Sequence, residues 1–443
     1  MTGLALRSLR HRSTAFAATF VTVLLGTALI GSFATLIETA SGPVTDADAE
    51  SLTIMGAVVG GWGALIVLFS VASTMGITVR QRAGEIGLFR TIGGTPRQAR
   101  RLIRSEALLV TVVAAAAGAA LAWPGGQALL AMLRSGGMVG DGVEYAGGVA
   151  SLGATAAGVV LTAMVATAIA GRRAVRGPAT VVLSEARAQT GRMRWWRVAV
   201  GVLMIAYGVG LGVVTITVTA DDPDPYAAMQ TSGSASILVG LGLATLAPVL
   251  LRWTGSLLRP AFGSGAPGHL AAYNTTRRAH LLAGVLAPVI VLTSAAVGVL
   301  MLVGIDGRTM TVAPNAETET INLLNNVVTG MITLFAAITV INAFAAVLSD
   351  RRLELHRLHL VGATPDQVRA SVLAESAIVA IAGVALGVLA SLATVVPFAV
   401  ARDEGVVPDG QLWLPPLIVV GVVLLTLGAA RGGLTRARAV PVR

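Results

Sequence analysis

The 443-residue sequence contains no cysteine and no lysine, and each absence excludes a class of chemistry. Without thiols there are no disulfides and no thiolate metal sites. Without lysine there is no G-x-x-x-x-G-K-[ST] loop, whose lysine reaches the phosphates of a bound nucleotide. If ATP drives this protein, another chain binds it. Charge is scarce too, at 12% of residues, against about 25% in a soluble domain. A chain this poor in charge cannot coat a globule with polar surface.

What is abundant is apolar: 55% of residues, with a mean hydropathy of +0.79. These residues are collected into runs near the ~20 needed to cross a hydrocarbon core as a helix. Only helices and closed barrels satisfy their backbone groups in lipid, and the runs are too long for barrel strands. The expected fold is therefore an all-α membrane protein of ten transmembrane helices. The spans are predicted near 14–37, 53–79, 106–133, 148–171, 198–219, 232–251, 281–303, 320–348, 371–400 and 412–430. The third is expected to break at Trp123-Pro124-Gly125-Gly126, where proline removes a donor and glycine loosens the helix. The first, behind Arg7, Arg10 and Arg12, is too long for a signal-peptide core and reads as a membrane anchor.

Charge gives an orientation. With the N-terminus inside, the inner segments hold 29 of the 32 arginines, leaving Arg134, Arg308 and Arg402 outside. The outer loops hold 15 of the 22 acidic residues, among them Asp46, Asp48, Glu50, Asp221, Asp222 and Asp224. By the positive-inside rule both termini are cytoplasmic. The net charge of +10 reads as orientation and attraction to anionic lipid headgroups, not as nucleic-acid binding.

An internal repeat runs through the sequence. Arg82, Glu85, Gly93, Thr95, Pro96, Gln98, Arg100 and Glu106 recur as Arg351, Glu354, Gly362, Thr364, Pro365, Gln367, Arg369 and Glu375, each 269 positions later without a gap. Gly118 and Gly387 keep the same offset. Six spans lie between equivalent points, so the repeat is parallel and implies a pseudo-two-fold axis along the membrane normal. The chain divides into a first four-span unit at 1–174, a connector with spans five and six at 175–265, and a second four-span unit at 266–443.

The repeated segment carries its own stop and start signals. Gly93 and Gly362 stand where a helix ends, in the position that favours a left-handed glycine. Thr95 and Thr364 follow as N-caps, with Pro96 and Pro365 at the first helical position and Gln98 and Gln367 completing capping boxes. This predicts a short cytoplasmic helix at 83–92, a fixed corner, and a new helix entering span three; the same follows at 352–361 before span nine. One such loop is ordinary, but two copies with the same corner favour a docking surface for a two-fold partner.

The segment EIGLFRTIGGTPRQARRLIRSEA, at 85–107, resembles the signature loop of FtsX-like, MacB-type ABC permeases. Arg172-Arg173-Ala174-Val175-Arg176-Gly177-Pro178 after span four resembles that family's post-helix motif, and Arg436-Ala437-Arg438-Ala439-Val440-Pro441 is a weaker echo. Two such units on one ten-helix chain are similar to bacitracin-resistance-type permeases. The resemblance implies a permease subunit that exports or extracts a hydrophobic molecule, peptide or lipid. It implies two copies of a cytoplasmic ABC ATPase as partners, which would bind the ATP and magnesium, with no cofactor, catalytic residue or metal site in this chain. The ATPase-coupling loops it points to are Arg82, Glu85, Arg90, Gly93, Thr95, Pro96, Gln98 and Arg100, and Arg351, Glu354, Gly362, Thr364, Pro365, Gln367 and Arg369. The sequence departs from the family in its outer loops, near 38–52 and 304–319, which are too short to fold alone.

Other candidates are weaker. Asn322, Asn325, Asn326 and Thr329 share one face of span eight, and Gly56 and Gly60 occupy the positions in span two matching Asn325 and Thr329. These residues serve either helix packing or a substrate path. His356 and His359 are three apart but lack a third ligand, and read as surface histidines. The spans carry no isolated acid at mid-depth, which disfavours a secondary transporter with parallel repeats. A signalling permease controlling a partner protein is a further alternative, for which the short outer loops leave little surface.

Overall fold

The computed structural model describes residues 13–81, 83–175, 193–222, 227–262, 265–309, 330, 333–334, 337–344, 347–348 and 351–439. Among these residues every regular element is a helix, and nine helices are long and apolar enough to cross a membrane. The predicted eighth span falls largely outside the described residues; its described part includes helical residues 337–344. The chain forms two compact units.

The first unit holds α1 (Ser13–Ala40), α2 (Asp46–Ile54), a π-helical turn (Met55–Val59), α3 (Gly60–Gln81), α4 (Ala83–Thr91), α5 (Pro96–Ser135) and α6 (Val149–Val175). The long helices α1, α3, α5 and α6 pack on one another, with α1 against α5 as the principal pair. Gly118 makes that approach possible, since a Cβ there would lie 2.4 Å from the Leu24 carbonyl oxygen and 2.8 Å from Thr27 Cβ.

Gly56 and Gly60 serve the same purpose for the second span: a Cβ would lie 2.5 Å from Ile37 Cγ1 at Gly56 and 2.6 Å from Phe33 Cβ at Gly60. Both are therefore packing positions against α1. The asparagine-threonine face set opposite them in the repeat, Asn322, Asn325, Asn326 and Thr329, lies outside the described residues.

The break expected at Pro124 does not occur; α5 runs unbroken from Pro96 to Ser135. Donors from neighbouring segments meet the carbonyl groups beside the proline. Ser32 Oγ of α1 donates to the Ala122 carbonyl at 3.3 Å, and the Tyr145 hydroxyl donates to the Trp123 carbonyl at 3.1 Å. The carbonyl that the absent proline N–H leaves free is that of Ala120, four residues back, and the flanking Gly118, Gly125 and Gly126 pack closely on α1. At the acid-rich end, Glu38 accepts from the backbone N–H groups of Gly148 and Ser151, tying the start of α6 to α1.

The second unit holds α7 (Trp195–Thr217), α8 (Ala227–Gly233), α9 (Ala235–Phe262), α10 (Ala266–Arg277), α11 (Ala279–Thr309), α12 (Arg352–Leu360), α13 (Pro365–Ala401) and α14 (Leu414–Ala439). Its principal pair is α11 with α13, the counterpart of α1 with α5. The crossing is again made by the repeated glycine: a Cβ on Gly387 would lie 2.4 Å from Thr293 Cβ and 3.0 Å from the Ile290 carbonyl oxygen.

The connector helices α7 and α9 are packed into this second unit rather than standing apart. Gly201, Gly208 and Gly242 bring α7 and α9 together. The break between α8 and α9 is closed by α13, where Thr394 Oγ1 accepts from Ser236 N–H at 2.9 Å and donates to the Ser232 carbonyl at 2.7 Å. At the acid-rich end, Arg402 pairs with Asp306 at 2.7 Å and Arg308 with Glu404 at 3.0 Å, joining α11 to the residues that follow α13.

Helices α6, α7 and α14 keep exposed apolar stripes, including Leu161, Val165, Val202, Leu203, Leu417 and Leu424. In water such stripes would oppose folding; in hydrocarbon they are the ordinary outer face of a bundle.

Candidate functional site

The two repeated segments fold into the same corner. Helices α4 and α12 each span nine residues, and their first and last residues are related by the 269-residue offset. Each ends on a glycine with positive φ, +98° at Gly93 and +99° at Gly362. The reversal is a Schellman motif in both copies. Gly93 N–H donates to the Arg90 carbonyl and Gly94 N–H to that of Phe89; in the other copy Gly362 donates to His359 and Ala363 to Leu358.

The next helix then starts identically. Thr95 N–H donates to Gln98 Oε1 at 2.9 Å while Thr95 Oγ1 accepts from Gln98 N–H at 3.3 Å. Thr364 and Gln367 repeat both distances. Pro96 and Pro365 occupy the first helical position. Each cap contributes about 1 kcal/mol, which fixes the angle between the short helix and the span that follows.

Under each corner lies an apolar cluster, and here the repeat extends beyond the identities visible in sequence. In the first unit, buried Val79, Ile86 and Ile103 pack together with Ala99, Phe89 and Ala170. In the second, Leu348, Leu355 and Val372 pack with Leu434. Val79, Ile86 and Ile103 precede Leu348, Leu355 and Val372 by the same 269 positions. The substitutions keep apolar character without identity, so comparison of residue types alone passes over them. Each cluster ties its short helix to the spans before and after it.

The charged residues of the repeat behave differently from expectation. Arg351 and Glu354, expected at a partner contact, turn inward. Arg351 is only 4% exposed, and its guanidinium bridges two carboxylates. Its Nη1 pairs with Glu375 Oε2, its Nη2 reaches Glu375 Oε1 at 3.1 Å, and its Nε donates to Glu354 Oε2 at 3.2 Å. Glu375, 2% exposed, also accepts from Asn274 Nδ2 at 2.7 Å, and Glu354 takes a second partner in Arg278. One guanidinium thus binds α12 to α13, and its carboxylate partners carry the link to α10.

Burial would lower the Arg351 pKa, but Glu375 and then Glu354 hold it above its ordinary value. Burial would likewise raise Glu354, and Arg351 and Arg278 outweigh it to hold the carboxyl below its usual range. In the first copy Glu106 occupies the buried position equivalent to Glu375, while Arg82 lies outside the described residues.

What faces outward is apolar at the tips and basic behind them. Ile92 is 77% exposed and its equivalent Val361 88%, with Leu88 and Leu360 exposed beside them. Glu85 is exposed, and Arg90, Arg100 and Arg369 are half-buried. His359 is exposed, with Nδ1 3.2 Å from the Ala363 carbonyl oxygen of its own corner.

A family model, the FtsX-like permease C-terminal domain, matches residues 57–179 and again 326–437, together more than half of the chain. The chain belongs to the FtsX-like permease family. The two matches begin 269 residues apart, the offset of the repeated corner, so the family domain occurs twice. Each match begins inside the second span of its unit and leaves out the first, so the resemblance is narrower than both complete halves. No curated protein matches the chain. With nine apolar spans among the described residues, this FtsX-like permease is a multi-pass membrane protein.

Proposed function

We propose that this FtsX-like permease is the membrane subunit of an ABC-type transporter, and that α4 and α12 each dock one copy of a separate ATPase in the bacterial cytoplasm. The observation that carries the reading is the corner built twice: one Schellman turn, one positive-φ glycine and one capping box per copy, each ending in an exposed β-branched residue, Ile92 or Val361. An exposed apolar side chain on a rigid corner suits insertion into a partner's groove, where central apolar anchors supply most binding energy.

In this reading the orientation is that of the arginine distribution, with both termini in the cytoplasm. ATP and magnesium belong to the partner, because this chain has no lysine for a phosphate loop. A push on α4 passes through Ile86 to Val79 and Ile103, and so into α3 and α5. A push on α12 passes through Leu355, and through Arg351 and Glu354 into α13 and α10. The substrate class is a hydrophobic molecule, peptide or lipid, exported or extracted from the membrane.

The test is native mass spectrometry of the complex purified in detergent from its own host. One chain with two ATPase subunits is expected. Ile92→Asp combined with Val361→Asp should remove both ATPases while leaving the yield of folded permease unchanged. Two permease chains per two ATPases, or a double variant that keeps its partners, would overturn the reading.

A further inference from the structure

Helix α5 divides its charge with unusual clarity over its first three turns. Ala99, Ile103, Glu106, Ala107 and Val110 face the unit's interior and are buried. On the opposite face Arg97, Arg101 and Arg104 follow at i, i+4 and i+7, all exposed, and none has an ion pair among the described residues. At 100° per residue Glu106 lies opposite Arg97, so the one acid of this stretch points away from the three cations. The basic face then runs directly into Leu108 and Val112, which are exposed and belong to the apolar part of the same span. A stripe that changes from arginine to exposed aliphatic along one helix face lies across the boundary between headgroups and hydrocarbon. The long arginine side chains suit that depth, because their stems lie along apolar surface while the guanidinium stays in the polar layer.

The repeat supplies an internal comparison. The residues 269 positions later are Asp366, Ala370 and Leu373, so the second copy keeps the helix and the cap but not the basic face. Orientation by positive charge does not require this asymmetry, and neither does the corner, whose geometry is the same in both copies.

We propose that the Arg97–Arg101–Arg104 face of α5 is a binding site for an anionic phospholipid headgroup, present in the first unit alone. Guanidinium groups pair with phosphate oxygens in two-point geometry, and the adjoining Leu108 and Val112 meet the acyl chains. An acidic protein surface would also answer three arginines, but it would not explain their continuity with residues at hydrocarbon depth. The inference does not rest on the ATPase reading.

The experiment uses the full chain in detergent, with phosphatidylglycerol and phosphatidylcholine as probes and native mass spectrometry to count retained lipid. Wild-type protein is expected to retain phosphatidylglycerol in preference to phosphatidylcholine, and millimolar inorganic phosphate should not displace it. Each basic residue near an anionic surface contributes roughly fivefold, so Arg97→Gln, Arg101→Gln and Arg104→Gln together should weaken retention on the order of a hundredfold. Installing the stripe in the second copy, with Asp366→Arg, Ala370→Arg and Leu373→Arg, should add a second retained lipid. This gain holds the proposal to account even if the glutamine variant folds poorly. Undiminished retention by a folded glutamine variant, displacement by inorganic phosphate, or no gain in a folded arginine variant would overturn it. Loss of a co-purifying protein with lipid retention intact would assign the stripe to a protein contact instead, and would equally refute it.

Discussion

Replacing Glu375 with leucine tests whether the buried joint at the base of the second unit holds α12 in place. The Arg351 guanidinium would stay buried and would lose both hydrogen bonds to α13 while keeping those to Glu354. Breaking a buried pair from one side costs about 3–5 kcal/mol, because a charge is left without its partner in low dielectric. Glu354 remains, so the expected loss lies near the low end, about 3 kcal/mol. Arg351→Met should cost a similar amount by stranding Glu375 with only the Asn274 amide. Removing both charges leaves Glu354 with Arg278 and strands only the Asn274 amide, a cost of about 1–2 kcal/mol. The double variant should therefore be more stable than either single one, with a coupling energy well above ~2 kcal/mol. Equilibrium unfolding in mixed detergent micelles, followed by tryptophan fluorescence, measures all four corners of the cycle. Single-variant losses that simply add, to within ~0.5 kcal/mol, would show that the pair does not act as a joint.

Three further outcomes are expected. Gly93→Val and Gly362→Val have open space at the new Cβ, so their cost is the positive φ alone, about 1–3 kcal/mol each; ATPase co-purification should fall while membrane insertion, read by fractionation, stays normal, and Gly→Asn should largely restore it. Gly387→Ala places a methyl 2.4 Å from Thr293 Cβ and should destabilise by about 1–3 kcal/mol in the same unfolding assay, whereas Gly428→Ala, with nothing within 4 Å, should not. Glu354 has its pKa held below the ordinary 4.5, so its contribution is complete above that value and is lost as pH falls through the depressed folded value. Unfolding measured from pH 6 downward should show this acid loss, and Glu354→Gln should reduce its slope.

Much of this molecule is legible one residue at a time. Each apolar run states its own span, because hydrocarbon demands a helix wherever about 20 apolar residues are continuous. The corners are legible for a similar reason: Gly93, Thr95, Pro96 and Gln98 act within one turn of the backbone, so their order alone specifies the motif, and Gly362, Thr364, Pro365 and Gln367 say it again. Local signals failed where the deciding partner is distant in sequence. Pro124 reads as a break, yet α5 continues through it, packed on α1 at Gly118, Gly125 and Gly126. Arg351 and Glu354 read as surface charge, yet Glu375, Asn274 and Arg278 turn them inward. Gly56 and Gly60 read as part of a polar path or a packing seam, and the neighbour that decides is α1, through Phe33 and Ile37.

By itself, then, the sequence determined the class of solvent, the apolar spans seen among the described residues, the repeat and the shape of its corners, all of which depend on composition or on neighbours within four residues. The tertiary structure decided which charges are buried, which glycines are crossings, and that the connector helices pack with the second unit. Those outcomes depend on the small spaces and paired charges between helices, which form only when segments distant in sequence, such as Ser232 and Thr394 at 162 residues apart, are brought into contact.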